Sequence, residues 1–159
     1  MKKLSCVALL LALLVAALPA LAETVALGTC TLTLPDTLEA DALTEEDVES
    51  GMTAYYYNDA YDLALYAFDA EELTLSAYME LYSAEEGATQ SGIVTLNGIE
   101  VSYYTYLTSD EEGEYYVINY TMIEDNVAYE VEFYVNNDDN LNAASAETAA
   151  VMETLTRAQ

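Results

Sequence analysis

The stretch Tyr115-Tyr-Val-Ile-Asn-Tyr-Thr-Met-Ile123, Glu124-Asp-Asn126, Val127-Ala-Tyr-Glu-Val-Glu-Phe-Tyr-Val135 decides the fold. Both long runs are rich in β-branched and aromatic residues, which fit a pleated surface, and a short Asp/Asn stretch divides them. That arrangement predicts a β-hairpin. Side chains alternate across a strand, so Val127, Tyr129, Val131, Phe133 and Val135 share one face of the second run, and Glu130, Glu132 and Tyr134 take the other. The first run is apolar or aromatic on both faces, with Val117 and Ile123 against Ile118, Tyr120 and Met122. An antiparallel sheet needs only one covered face. A strand apolar on both sides implies cover on both, here from helices.

Working outward, Ile93–Leu96 and Ile99–Leu107 flank Asn97-Gly98, a dipeptide that readily adopts the positive φ values of a two-residue hairpin turn. Ser109–Glu114 reads as an acidic loop. Upstream, Thr74 caps an expected helix whose Leu75, Tyr78, Met79 and Tyr82 fall on one side and which Gly87 ends. Met52–Asn58 and Tyr61–Phe68 read as a further hairpin, and Thr24–Leu27 and Cys30–Leu34 as two short strands around Gly28-Thr29. Thr44 with Asp47 reads as a capping pair opening a short helix, with Leu43 and Val48 as its hydrophobic staple. A last helix carries the stripe Leu141, Ala144, Thr148, Val151, Met152 and Leu155 over 141–156. The expected fold class is α+β: an antiparallel sheet of about six to eight strands built from hairpins, flanked by a middle helix and a C-terminal helix.

This order of elements resembles the PsbP/Mog1-like α/β/α sandwich. The residues that carry the resemblance are Thr31-Leu-Thr-Leu-Pro35, the Leu73–Tyr82 helix, Leu96-Asn-Gly-Ile99 and Tyr129-Glu-Val-Glu-Phe133, within an overall match over about residues 24–156. They are markers of a fold and not of a reaction. The resemblance implies an architecture and a lean toward binding or assembly roles.

Residues 1–22 read as a secretory leader. Lys2 and Lys3 form a basic start, Leu4–Leu18 an apolar run, and Pro19 precedes the small-x-small site Ala20-Leu21-Ala22. The apolar run falls short of the about 20 residues that a membrane span needs. Cys6 lies too early to be a lipoprotein cysteine. Cleavage after Ala22 leaves residues 23–159 as one acidic domain, secreted or periplasmic, with no membrane attachment.

In that domain Arg157 is the one basic side chain against 29 acidic ones, a formal charge of −28. Nucleic acid and anionic membranes would repel it. Hydrophobic residues make up 53% of the chain, so the acidity signals a solvated surface on a folded domain rather than disorder. The lone cysteine after the leader, Cys30, alternates with Leu32 and Leu34 and reads as a buried strand residue, with an intermolecular disulfide as the alternative.

Several chemistries are excluded. The chain has no histidine, and its two lysines lie in the leader. Ser-His-Asp and Cys-His catalysis, histidine-ligated metals and Schiff-base chemistry therefore have no residues to act through. No P-loop or GxGxxG motif occurs. Carboxylates remain, and a glycosidase needs only two.

Calcium takes oxygen ligands, and Asn136, Asp138, Asn140 and Glu147 stand where positions 1, 3, 5 and 12 of an EF-hand loop would fall. Leu141 replaces the turn glycine of that motif, and the simpler reading is a polar turn capping the last helix. The Asp110–Glu114 loop lacks spaced ligands. The sequon Asn119-Tyr120-Thr121 lies in mid-strand. Fifteen tyrosines are present. Most are expected in the core, and a subset on one exposed face could bind a protein, peptide or glycan. The leading expectation is an exported non-enzymatic binding domain, with no cofactor unless calcium assists. The alternatives are a carboxylate-only hydrolase and an accessory protein without a small ligand.

Overall fold

The computed structural model describes residues 23–109, 113–136 and 141–158. Two antiparallel sheets and three helices form from them. The large sheet has seven strands in the order β3-β4-β5-β9-β8-β7-β6, with β3 Glu39–Asp41, β4 Met52–Tyr57, β5 Tyr61–Asp69, β6 Gln90–Leu96, β7 Ile99–Ser109, β8 Glu114–Glu124 and β9 Val127–Asn136. The small sheet joins β1 Glu23–Leu27, β2 Cys30–Leu34 and β10 Thr156–Arg157. The helices are α1 Glu45–Glu49, α2 Leu75–Glu85 and α3 Leu141–Met152.

The hairpin that the opening stretch predicts is present. Its turn is the two residues Asp125 and Asn126, both at positive φ, as are Asn97 and Gly98 in the β6–β7 turn. The register pairs Phe133 with Ile118 on β8 and with Leu63 on β5. One sheet face thereby carries Leu63, Leu65, Val101, Ile118, Met122, Val131, Phe133 and Val135, all buried. Against this face lie Cys30, Leu32 and Leu34 of β2 and Ala144, Val151 and Met152 of α3, forming one core. Tyr61 and Tyr120 meet the Phe133 ring edge-on at 5.8 and 6.2 Å, a favourable quadrupole geometry. Cys30 is fully buried, as its alternation with Leu32 and Leu34 predicts.

Both expected helix caps form. Thr44 and Asp47 make a reciprocal capping box, and the Thr74 hydroxyl accepts from the Ala77 N–H. The staple does not form a buried contact: Val48 is 60% exposed, because α1 has no buried residue.

One further expectation is corrected and one strand is added. The last helix ends at Met152 and not at 156. The Thr154 hydroxyl bonds the Val151 carbonyl at 2.7 Å, and it also accepts from the Thr33 N–H at 2.9 Å. A threonine that offers the backbone such alternative bonds ends a helix and, here, redirects it into β10. Leu155 stays in the core from this turn, at 1% exposure. Glu39–Asp41 pairs with β4 as an exposed acidic edge strand, which no propensity announces.

Candidate functional site

The other face of the large sheet turns toward α2, and it is polar at its centre. Glu130 pairs with Thr121 on β8 and Tyr66 on β5, and Glu132 pairs with Asn119 and Ala64. Asn119 in turn pairs with Tyr104 on β7, and Val117 with Tyr106. Sequence alternation sets Glu130 and Glu132 on the face opposite Phe133, and the cover expected on both faces buries them. They are 7% and 8% exposed, and Asn119 is fully buried. The reason is α2, which packs over β7 and β8, and the tyrosines that close around its flank. Buried Ala70, Tyr78 and Ala128, with Phe68, Leu73, Tyr82 and Ile123 against them, form a second, smaller core beneath that helix.

Burying two carboxylates is costly unless donors surround them. The donors are present. The Asn119 amide donates to Glu130 at 3.1 Å and reaches Glu132 at 3.5 Å, while the Asn119 carbonyl oxygen accepts from the Thr121 hydroxyl at 2.9 Å. Tyr106 and Tyr134 donate to the two oxygens of Glu132 at 3.1 and 2.6 Å. Tyr78 lies in hydrogen-bonding reach of Glu130. Burial pushes the Glu130 carboxyl up to about 7; the Asn119 amide opposes this and the Glu132 charge adds to it. Burial, then the neighbouring carboxylates, holds Tyr78, Tyr104, Tyr106 and Tyr134 well above the ordinary phenol range. These phenols are neutral donors at any physiological pH.

Between α2 and the sheet this face opens as a cleft of about 490 Å³. Tyr78, Tyr82, Tyr104 and Tyr106 line it with Glu130 and Glu132, and Phe68, Asp69, Glu71 and Glu86 stand at its mouth. The Tyr78 and Tyr82 rings lie 4.3 Å apart, and those of Tyr104 and Tyr106 stack at 6.0 Å. The rim segment is fixed. Glu71 and Glu72 adopt positive φ, a strained conformation for side chains of this kind. Asn126 holds them: its side-chain oxygen accepts from the Glu72 N–H at 2.7 Å, its amide donates to Asp69, and its carbonyl accepts from the Ala70 N–H.

Two other hollows are simpler in chemistry. One of about 360 Å³ lies farther along the same face, between Met52, Tyr55, Asp62, Tyr66, Thr108 and Tyr134. The other, of about 590 Å³, is lined by Asp36, Glu39, Tyr57, Asp59 and Glu147, with no buried carboxylate.

Of the expected calcium ligands, two fall in described segments. Asn136 ends β9 and is exposed, and Glu147 on α3 accepts a hydrogen bond from the Tyr61 hydroxyl at 3.3 Å. Asp138 and Asn140 lie outside the described residues, as does 110–112 of the acidic loop. Among the described residues no three acidic or cysteine side chains converge on a metal position. Arg157 does not line the cleft. It bonds Glu124 at 2.6 Å and the Thr29 hydroxyl at 2.9 Å, tying β10 and the β1–β2 turn to the end of β8. Burial raises the Glu124 carboxyl, but the Thr29 and Arg157 bonds outweigh it and leave that group below the ordinary carboxylate range.

No family model matches the chain, and no curated protein matches it in sequence. Solved structures do match it in shape. A protein from Bacteroides thetaiotaomicron superposes with a TM-score of 0.60 at 15% identity, over 87% of this chain and 49% of that one. The chain therefore spans about half the length of that protein. Cyanobacterial PsbP (CyanoP) from Synechocystis matches with a TM-score of 0.60 at 8% identity, over 87% of this chain and 94% of its own. The Ran-binding protein Mog1p of Saccharomyces cerevisiae matches with a TM-score of 0.53 at 8% identity, over 86% and 95%. At such identities the likeness concerns the fold alone: the chain has a PsbP/Mog1-like fold.

Proposed function

We propose that this is an exported, non-enzymatic binding domain that engages a protein, peptide or glycan through the tyrosine–glutamate cleft beside α2. The observation that carries the reading is the pair Glu130 and Glu132, two carboxylates buried on a central strand beside α2 in a cleft that four tyrosines line. A purely structural sheet face would be more stable if built from apolar residues. Concave sites lined by aromatic rings with a few fixed polar groups are the usual form of a ligand pocket. That the solved neighbours include a protein described as Ran-binding is compatible with a protein partner. Residues 1–22 serve in this reading as the export leader, and no helix among the described residues is long and apolar enough to cross a membrane.

A hydrolase reading draws on the same pair, since Glu130 holds a proton near neutrality beside a second carboxylate. Glycosidases place their two carboxyl groups on either side of the scissile bond. Here both rise side by side from one strand face, two residues apart, which favours binding. The test is to screen the exported protein on peptide and glycan arrays and, in parallel, on aryl glycosides. Saturable array binding without turnover is expected. Turnover abolished in both Glu130→Gln and Glu132→Gln would replace the binding reading with the hydrolase, and neither binding nor turnover would refute both.

A further inference from the structure

We propose that the cleft beside α2 takes an organic cation, an alkylammonium or guanidinium head, seated on the phenol rings over Glu130 and Glu132. This deepens the binding reading above and rests on it. Three observations converge. The first is size: about 490 Å³ suits one small molecule or one long side chain. The second is charge. Glu130 and Glu132 form the floor, Asp69, Glu71 and Glu86 add three more acids to the lining, and no cation of residues 23–159 lines it, Arg157 being engaged by Glu124. The third is an open hydrogen-bonding position. Tyr104 is 4% exposed and lines the cleft, and its ring stacks on Tyr106. Among the described residues every fully buried side-chain polar atom has a partner. The Tyr104 hydroxyl takes no part in the Asn119–Glu132 network, and the residue lines the cleft. Glu130 in turn takes the Asn119 amide at Oε2, with Tyr78 in reach of the same carboxyl. A carboxylate carries about four acceptor positions, so donors from a ligand have places to go.

The chemistry of the lining selects the ligand class. An anion would meet five acidic side chains and no basic group. An apolar ligand would cover the remaining acceptor positions of the glutamates and supply no donor to them. A compact metal ion would find no third acidic ligand converging with Glu130 and Glu132 among the described residues. An ammonium or guanidinium group donates several hydrogen bonds to carboxylates and phenol oxygens, and its charge lies favourably against the negative face of aromatic rings.

The same head group occurs on free amines and on Lys or Arg side chains of a polypeptide. The test uses protein expressed as the full chain and purified after export, labelled with 13C on the tyrosine rings, at fixed ionic strength. It is titrated with butylamine, with capped lysine and arginine amides, with the uncharged capped norleucine amide, and with a neutral oligosaccharide. Saturable shifts confined to the cleft tyrosines are expected with the three cations and not with norleucine. The affinity is expected to fall at least tenfold in Glu132→Gln. Tyr104→Phe, which keeps the ring and removes only the hydroxyl, guards against a glutamate variant that fails to fold, and it is expected to weaken binding severalfold. Tighter binding of the capped amino acids than of butylamine assigns the head group to a polypeptide, and the reverse assigns it to a free amine. Equal unsaturated shifts with all cations and with potassium would mean screening alone and would overturn the proposal. Saturable binding of the oligosaccharide with none of the cations would overturn it too, while leaving the binding reading in place.

Discussion

Replacing Glu130 by Gln is expected to remove a pH-dependent cost that the fold carries. Burial raises the folded-state carboxyl to about 7 from an ordinary value of 4.5. Between those values the folded protein binds a proton that the unfolded chain has released. The Glu130 contribution is therefore favourable below pH 4.5 and is lost as pH rises through 7. The full cost at about 1.4 kcal/mol per unit is roughly 3 kcal/mol, of which about 2 kcal/mol falls between about pH 5.5 and 8.5. That window matters because the exposed carboxylates have already ionised by about pH 5.5, so the self-repulsion of the acidic surface is nearly constant across it. The charged and titratable groups around Glu130 are Glu132 on its own strand, Tyr66 on β5, Tyr104 and Tyr106 on β7, and Tyr78, Tyr82 and Glu86 from α2 and its cap. The phenols stay neutral throughout. Gln keeps the volume and the acceptor for Asn119 and carries no charge. Urea melts of both proteins at the two pH values measure the effect. The wild type is expected to lose about 2 kcal/mol more than Glu130→Gln on going to the higher pH, or roughly 6 °C in melting temperature for a domain of this size. Equal losses in the two proteins would refute the assignment of a buried Glu130 that titrates near neutrality.

Other expectations follow from separate parts of the molecule. Gly28 sits at φ +58°, and a Cβ there would lie 2.7 Å from the Tyr129 ring, so Gly28→Ala is expected to cost about 1–3 kcal/mol in a urea melt, and an unchanged midpoint would contradict the turn geometry. Calcium and magnesium at matched ionic strength are expected to raise the melting temperature by the same small amount through screening; a saturable calcium-selective rise lost in Asp138→Ala would instead make Asn136, Asp138, Asn140 and Glu147 a binding loop. Expression of the full chain in a bacterial host is expected to yield an exported product beginning at Glu23, and a retained product beginning at Met1 or Lys2 would remove the leader reading.

The architecture was legible because several local signals agreed. Asn97-Gly98, the Thr74 and Thr44 caps and the alternation of Val131, Phe133 and Val135 each fixed one element, and all of them pointed to the same layered sheet. What escaped were features set by partners distant in sequence. Thr154 ends α3 early because it bonds Thr33, 121 residues away. Glu39–Asp41 becomes a strand because an open edge of β4 lies beside it. The site itself was hidden for the same reason. Alternation places Glu130 and Glu132 on one face, but only the packing of α2 and its tyrosines makes that face a cleft. One signal was available: Asn119 and Thr121 interrupt an otherwise apolar strand on the face that carries Val117, at the positions that the hairpin register sets beside Glu132 and Glu130. Polar residues opposed in register across two central strands are the mark of a buried network.

The sharpest measurement compares two surface variants on whichever array ligand the wild type binds. Tyr82→Ala opens the cleft beside α2, and Tyr57→Ala alters the acidic hollow near Glu147 while leaving the cleft intact. Binding weakened at least tenfold by Tyr82→Ala and unchanged by Tyr57→Ala is the expected result. Full binding in Tyr82→Ala, with loss in Tyr57→Ala, would move the functional surface to the other hollow and contradict the assignment of binding to the tyrosine–glutamate cleft.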